Sequence, residues 1–119
     1  MAERQQVEPE IRDVRERGRL EAYADGVFAG VIVYFALDEE PHALVAVHTV
    51  VEADHEGRGI AGALVRELYA MAAREGVPVV PLCPYAATWA RRHPEEAPPV
   101  SAGVTRAAER QLAATPGLW

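Results

Sequence analysis

Between Ala43 and Leu82 the hydrophobic pattern changes period twice, and this limits the folds open to the chain. Ala43–Val51, A-L-V-A-V-H-T-V-V, is apolar on both faces apart from His48 and Thr49. A strand of that kind sits inside a sheet covered on both sides. A turn follows over Glu52–Gly57. From about Gly59 to Glu75 the spacing becomes helical. Ala61, Leu64, Val65, Leu68 and Ala72 share one face, while Arg66, Glu67, Arg74 and Glu75 lie elsewhere. Gly76 is a helix stop. Val77–Leu82, V-P-V-V-P-L, is a second buried strand, and its two prolines predict an edge or irregular position. Strand, helix and strand in this order make a β-α-β unit, which requires a parallel pair.

The flanks set the class. Three strand-like segments come first: Ile11–Arg17, Arg19–Ala24 and Val27–Leu37. Gly18 separates the first two, and Asp25-Gly26 is a hairpin signal before the third. Short turns between strands mean antiparallel neighbours. Strand alternation groups His48 with Leu44, Ala46 and Val50. After the β-α-β unit, Tyr85–His93 reads as a short helix ended by Pro94. Ser101 can cap a last helix running to about Ala114, with Pro116-Gly117 closing it. The expected fold class is α+β. Antiparallel N-terminal strands in a mixed sheet precede a central β-α-β unit and a short helix. Residues 1–10 are expected to be loose, 1–95 to form one domain, and 96–119 to be a linker with a helical extension.

Composition removes several functions. A chain of 119 residues fits one domain with its own core. The net charge of −6 disfavours nucleic acid, whose phosphates need a basic surface. All twelve basic residues are arginine, which excludes any mechanism using a lysine of this chain. The longest apolar run, Val27–Leu37, is too short for a membrane helix, which needs about 20 residues. The start, M-A-E-R-Q-Q-V-E-P-E, lacks the pattern of a signal peptide. Cys83 is the one cysteine and has no internal disulfide partner. A reducing, cytoplasmic setting is therefore expected.

The turn into the central helix carries the frame G-x-G-x-x-G at Gly57, Gly59 and Gly62. At a helix N-terminus that frame can hold a pyrophosphate on backbone N–H groups. A dinucleotide site would also want an acid at the end of the next strand, but no Asp or Glu occurs from Gly76 to Pro94. A triphosphate site would want Lys-Ser or Lys-Thr after Gly62, where Ala63-Leu64 stand. The frame alone fits a plain packing turn equally well.

Wider context selects another carrier of pyrophosphate. H-T-V-V-E-A-D-H-E-G-R-G-I-A-G-A-L-V, His48 to Val65, is followed by C-P-Y at Cys83–Tyr85 and a short helix ending H-P. Together these resemble the GNAT acetyltransferase superfamily, and more closely its minimal N-acetyltransferase-domain (GNAT-like) proteins. The resemblance covers roughly residues 10–95. It implies a GNAT-like sheet and acetyl coenzyme A (acetyl-CoA) as cosubstrate. The implied activity is acetyl transfer to a small-molecule or protein amine. It also implies that the backbone at Val50 and Val51 pairs with the pantetheine arm, and that Gly57, Arg58, Gly59, Ile60 and Ala61 receive the pyrophosphate. Two positions depart from the pattern. Glu56 stands where the superfamily has Gln or Arg. Val50 stands where close relatives carry the glutamate of H-T-E-V, so any role of that glutamate is absent here.

Acetyl transfer needs a held cofactor, a polarised carbonyl, a neutral amine and a leaving thiolate. His48 is the candidate general base by residue type, since free histidine titrates near pH ~6.5. A buried, hydrogen-bonded histidine is the competing reading. Cys83, ending a buried strand before a helix, is the candidate nucleophile, against a role as a small buried hydrophobe. Tyr85 matches the region in which many of these enzymes place a proton donor to the thiolate, against plain packing. Trp89 reads as core. Arg91 and Arg92 either reach phosphates or are solvated. His55 is expected to be solvated, and His42 and His93 border loops. None of the four histidines has metal-ligand spacing, so no metal is expected. The rival functions are a non-catalytic acyl-CoA binding or sensing module and a protein-interaction domain.

Overall fold

A computed structural model describes residues 8–115 of the chain. Its sheet has five strands: β1 Glu10–Val14, β2 Arg19–Ala24, β3 Val27–Ala36, β4 Leu44–Val51 and β5 Val79–Pro81. They lie in sequence order, β1-β2-β3-β4-β5. The first three pairings are antiparallel and β4–β5 is parallel. Helix α1, Ile60–Glu75, supplies the crossover. Helices α2, Pro84–Arg92, and α3, Ala102–Ala113, follow. This is the expected α+β order. The end of the loose 1–10 segment is structured, since Glu10 opens β1. Residues 1–7 and the expected Pro116-Gly117 closure lie outside the described residues.

Two apolar clusters cover the two faces of the sheet. On one face Leu20, Ala22, Ile32, Tyr34, Leu44 and Ala46 meet Leu64, Val65 and Leu68 of α1 and Ala86 and Trp89 of α2. On the other, Val45, Val47 and Val80 meet Val104, Ala107 and Ala108 of α3. Ile60 begins the buried stripe of α1, whereas Ala61 is only half-buried. The segment before α3 is also tied down, because Ala97 is buried in the first cluster. Ser101 caps α3 by accepting a hydrogen bond from the N–H of Val104 at 3.2 Å.

The strand expected over Ile11–Arg17 is shorter. After Val14 the chain makes a 3-10 turn, Arg15–Arg17, and reverses at Gly18 with φ +66°. A β-carbon at Gly18 would lie 2.5 Å from the carbonyl oxygen of Tyr34, so only glycine fits this crossing. The strand expected over Val77–Leu82 shortens to Val79–Pro81 at the sheet edge, where a proline costs no ladder bond.

The feature that shapes the site is a bulge in β4. Val33 is paired with His48, but the next residue, Tyr34, is paired with Ala46, which leaves Val47 as the extra residue. The bulge reverses the alternation. His48 and Val50 therefore share the α3 face with Val33, not the face of Leu44 and Ala46. The expected grouping of His48 with Leu44 and Ala46 does not hold. Thr49 takes the face of α1 and α2, opposite Ile32.

Candidate active site

The β4–β5 ladder is short. Its last pair is Ala46 with Pro81, after which the N–H groups of Leu82 and Cys83 both donate to Ala46 O at 3.0 Å. Beyond that point β5 ends and the chain enters α2, while β4 runs on to Val51. The edge of β4 from His48 to Val51 thus has no β5 partner, and the two strands part like the arms of a V. Val50, on the open arm, is 42% exposed.

The N-terminus of α1 stands near this opening. Gly57 and Gly59 have φ of +80° and +83°, which L side chains adopt only with strain. Gly59 is the N-cap, and no side chain caps the helix there. No acidic residue occupies the first turn. The first-turn N–H groups of α1 are therefore left to water or to an anion, and the helix dipole favours the anion.

A groove of about 730 Å³ begins at this helix end and runs between α1 and α2. Gly59, Gly62 and Arg66 line one side, and Tyr85, Trp89 and Arg92 the other. At Gly62 an added β-carbon would come 3.6 Å from both Tyr85 Oη and Trp89 Nε1. The absence of a side chain at Gly62 thus keeps the groove open between them. Trp89 is the centre of a stack, with Tyr69 at 5.7 Å and His93 at 4.1 Å between ring centroids. Arg66 lies over the same ring at 5.4 Å and is fixed by Glu96 at 2.8 Å, an ion pair that holds the Glu96 carboxyl below the usual range. Trp89 is therefore core on one side and groove wall on the other.

Cys83 is buried and is the N-cap of α2. Its Sγ lies 3.3 Å from Thr49 Oγ1, directly across the V. Tyr85, two residues on, is 44% exposed in the groove. Cys83, Tyr85 and the glycine turn are thus brought to one face of the sheet. His48 is exposed on the other face, beside the same opening. His55 differs from expectation, being half-buried with an Nδ1 atom that has no hydrogen-bond partner among the described residues. Arg91 lies outside the groove that Arg92 lines. Among the described residues no group of three or more His, Cys, Asp or Glu is placed to hold a metal ion.

A family model described as GCN5-related N-acetyltransferase matches residues 19–98. The chain belongs to the GCN5-related N-acetyltransferase family. Among solved structures it is similar to a ribosomal-protein-alanine N-acetyltransferase from Brucella melitensis biovar Abortus 2308. The TM-score is 0.54 and the identity 26%, over 70% of this chain and 62% of the other. The chain therefore spans less than two thirds of that protein's length. An aminoglycoside acetyltransferase from an uncultured soil metagenomic sample also matches, with TM-score 0.48 and 26% identity over 55% of this chain and 44% of the other. No curated protein matches. In this member of the family the matched residues include the parted strands, the glycine turn and the C-P-Y element. Helix α3 lies beyond them and covers the second face of the sheet.

Sequence reading had missed Thr49 and the groove-lining roles of Gly62 and Arg66. Thr49 was hidden because its face depends on the bulge at Val47, and hydrophobic alternation carries no sign of that bulge.

Proposed function

We propose that the protein is an acetyl-CoA-dependent N-acetyltransferase acting on an amine. The observation that carries this reading is the uncapped, acid-free N-terminus of α1 opening into the groove beside the parted β4 and β5. The residues fit the cofactor. Backbone N–H groups at Gly57, Arg58, Gly59, Ile60 and Ala61 would hold its pyrophosphate, with Arg92 of the groove adding positive charge, since Arg66 is already paired with Glu96. Glu56 is exposed and precedes the turn, so water can screen its carboxylate. Val50 and Val51, on the unpaired arm of β4, would pair with the pantetheine arm as a strand edge pairs with an added strand. When bound, acetyl-CoA supplies the activated acetyl thioester.

The two faces of the opening suggest a division of labour. Tyr85 lies on the groove side, where its phenol can give a proton to the departing thiolate. Cys83 lies under the same side as a buried thiol. His48 lies on the other face, which α3 leaves uncovered at this position. An amine entering from there would meet an imidazole able to take its proton. Val50 stands where the H-T-E-V glutamate would be, and His48 is the residue assigned the base role at that edge. Cys83 works as a free thiol, which suits a reducing compartment such as the cytoplasm. No described helix is long and apolar enough to cross a membrane.

The test is release of free coenzyme A from acetyl-CoA in the presence of a panel of small amines, N-terminal peptides and lysine peptides. Amine-dependent release with stoichiometric acetylated product supports the enzyme. Tight acetyl-CoA binding with no release for any amine favours the sensing module instead.

A further inference from the structure

The thiol of Cys83 has one side-chain partner among the described residues, and it lies on the other arm of the V. Thr49 Oγ1 is 3.3 Å from Cys83 Sγ, within the range of a hydrogen bond to sulfur. The contact sits just beyond the last rung of the β4–β5 ladder, so it is a side-chain link between strands whose backbones have already parted. It exists only because the Val47 bulge turns Thr49, rather than His48, toward α2. Without the bulge Cys83 would face an imidazole. With it, Cys83 faces a neutral hydroxyl.

We infer that Thr49 is a positioning residue for Cys83, fixing the orientation of Sγ at the floor of the opening and donating to it whenever the thiol is ionised. The physical reason is the donor inventory. A thiolate can only accept, so in the ionised state the threonine hydroxyl is the donor. Threonine suits this place because its branched Cβ restricts χ1 in a strand, which keeps Oγ1 pointed across the gap. This inference rests on the proposed active site only for its catalytic consequence. The Thr49–Cys83 bond can be tested without any substrate.

Cys83 is the only cysteine, so alkylation by iodoacetamide reports on it alone. The rate is measured at one fixed pH in the full chain for the wild type, Thr49→Val and Thr49→Ser. Loss of the hydroxyl in Thr49→Val is expected to slow alkylation about tenfold. Thr49→Ser is expected to restore the wild-type rate. A merely space-filling role would be kept by the near-isosteric valine and would gain nothing from serine. In acetyl transfer, Thr49→Val should lower kcat with KM for acetyl-CoA unchanged, since Thr49 does not line the groove. An unchanged alkylation rate in Thr49→Val, or a serine variant no better than valine, would overturn the inference. Failure of acetyl-CoA to bind the wild type would overturn the proposed function instead, and would leave the alkylation rates to decide the pair.

Discussion

His48 and Thr49 are neighbours in the chain, yet they face opposite sides of the sheet, His48 with Val33 and Thr49 with Ile32. The bulge at Val47 separates the two halves of β4. Leu44–Val47 are buried under helices, whereas His48 and Val50 are exposed. The same strand thus supplies core at one end and an open, partly exposed edge at the other.

This separation makes His48 testable without unfolding the protein. His48→Ala removes an exposed side chain, so the melting temperature should stay close to that of the wild type. If His48 takes the proton of the amine, kcat should fall by about 10²-fold or more. Steady-state coenzyme A release checks this, and a drop of less than about threefold would move the base elsewhere.

Gly30 fixes how closely β3 and β4 approach beneath the open arm. A β-carbon there would stand 2.9 Å from Val50 O and 3.2 Å from Ile60 Cγ2. Both neighbours belong to the proposed cofactor site. Gly30→Ala should therefore cost about 1–3 kcal/mol in denaturant unfolding and also weaken acetyl-CoA binding. Full stability together with full affinity would show that the contact relaxes without consequence.

Gly62 answers differently, because its added β-carbon would meet only ordinary contacts at 3.6 Å. It lies inside α1, where glycine is a poor helix former. Gly62→Ala should gain about 0.5–1 kcal/mol. Gly62→Leu keeps the helix but fills the groove, and should weaken acetyl-CoA by at least about tenfold. Denaturant melts and titration calorimetry read the two effects separately.

Alkaline stability should depend on Tyr34 and Tyr69. Burial first, and then the hydrogen bond to Asp13, pushes the Tyr34 phenol up to about 12; burial alone pushes Tyr69 up to about 12. Between the ordinary tyrosine value near ~10 and the folded value, the unfolded chain loses protons that the native chain keeps. Stability from these groups is therefore complete below pH ~10 and falls as the pH rises toward about 12. Among the described residues the hydroxyl of Tyr69 makes no side-chain hydrogen bond, so Tyr69→Phe should leave neutral stability within about 0.5 kcal/mol and flatten the alkaline loss. An unchanged alkaline slope would mean that Tyr69 ionises as freely folded as unfolded.

The sequence made the β-α-β unit legible because periodicity there is strong. Gly59 and Gly76 bracket α1 as its N-cap and C-cap, one residue outside the helix at each end. Ser101 and Pro84 mark the starts of α3 and α2 by ordinary capping chemistry. Less legible was anything that depended on long-range pairing. The 3-10 turn at Arg15–Arg17 forms because Gly18 must pass against the Tyr34 carbonyl, a neighbour distant in sequence. The packing of α3 on Val45, Val47 and Val80 is likewise invisible from its own amphipathic pattern, which says only that some apolar surface is needed. At the site, Cys83 and the glycine turn could be named from type and spacing, and Tyr85 from the family resemblance. The face of His48 could not, because one unpaired residue at position 47 inverts the alternation that follows it.

The groove at the α1 N-terminus is the proposed coenzyme A site. Calorimetric titration of the purified protein with acetyl-CoA, with NAD and ATP run beside it, tests this most directly. Binding of acetyl-CoA near ~1–100 μM, with no comparable heat from NAD or ATP, is the expected result. No binding of acetyl-CoA would contradict it, and would leave Gly57, Gly59 and Gly62 as a turn that only lets α1 pack closely on the sheet.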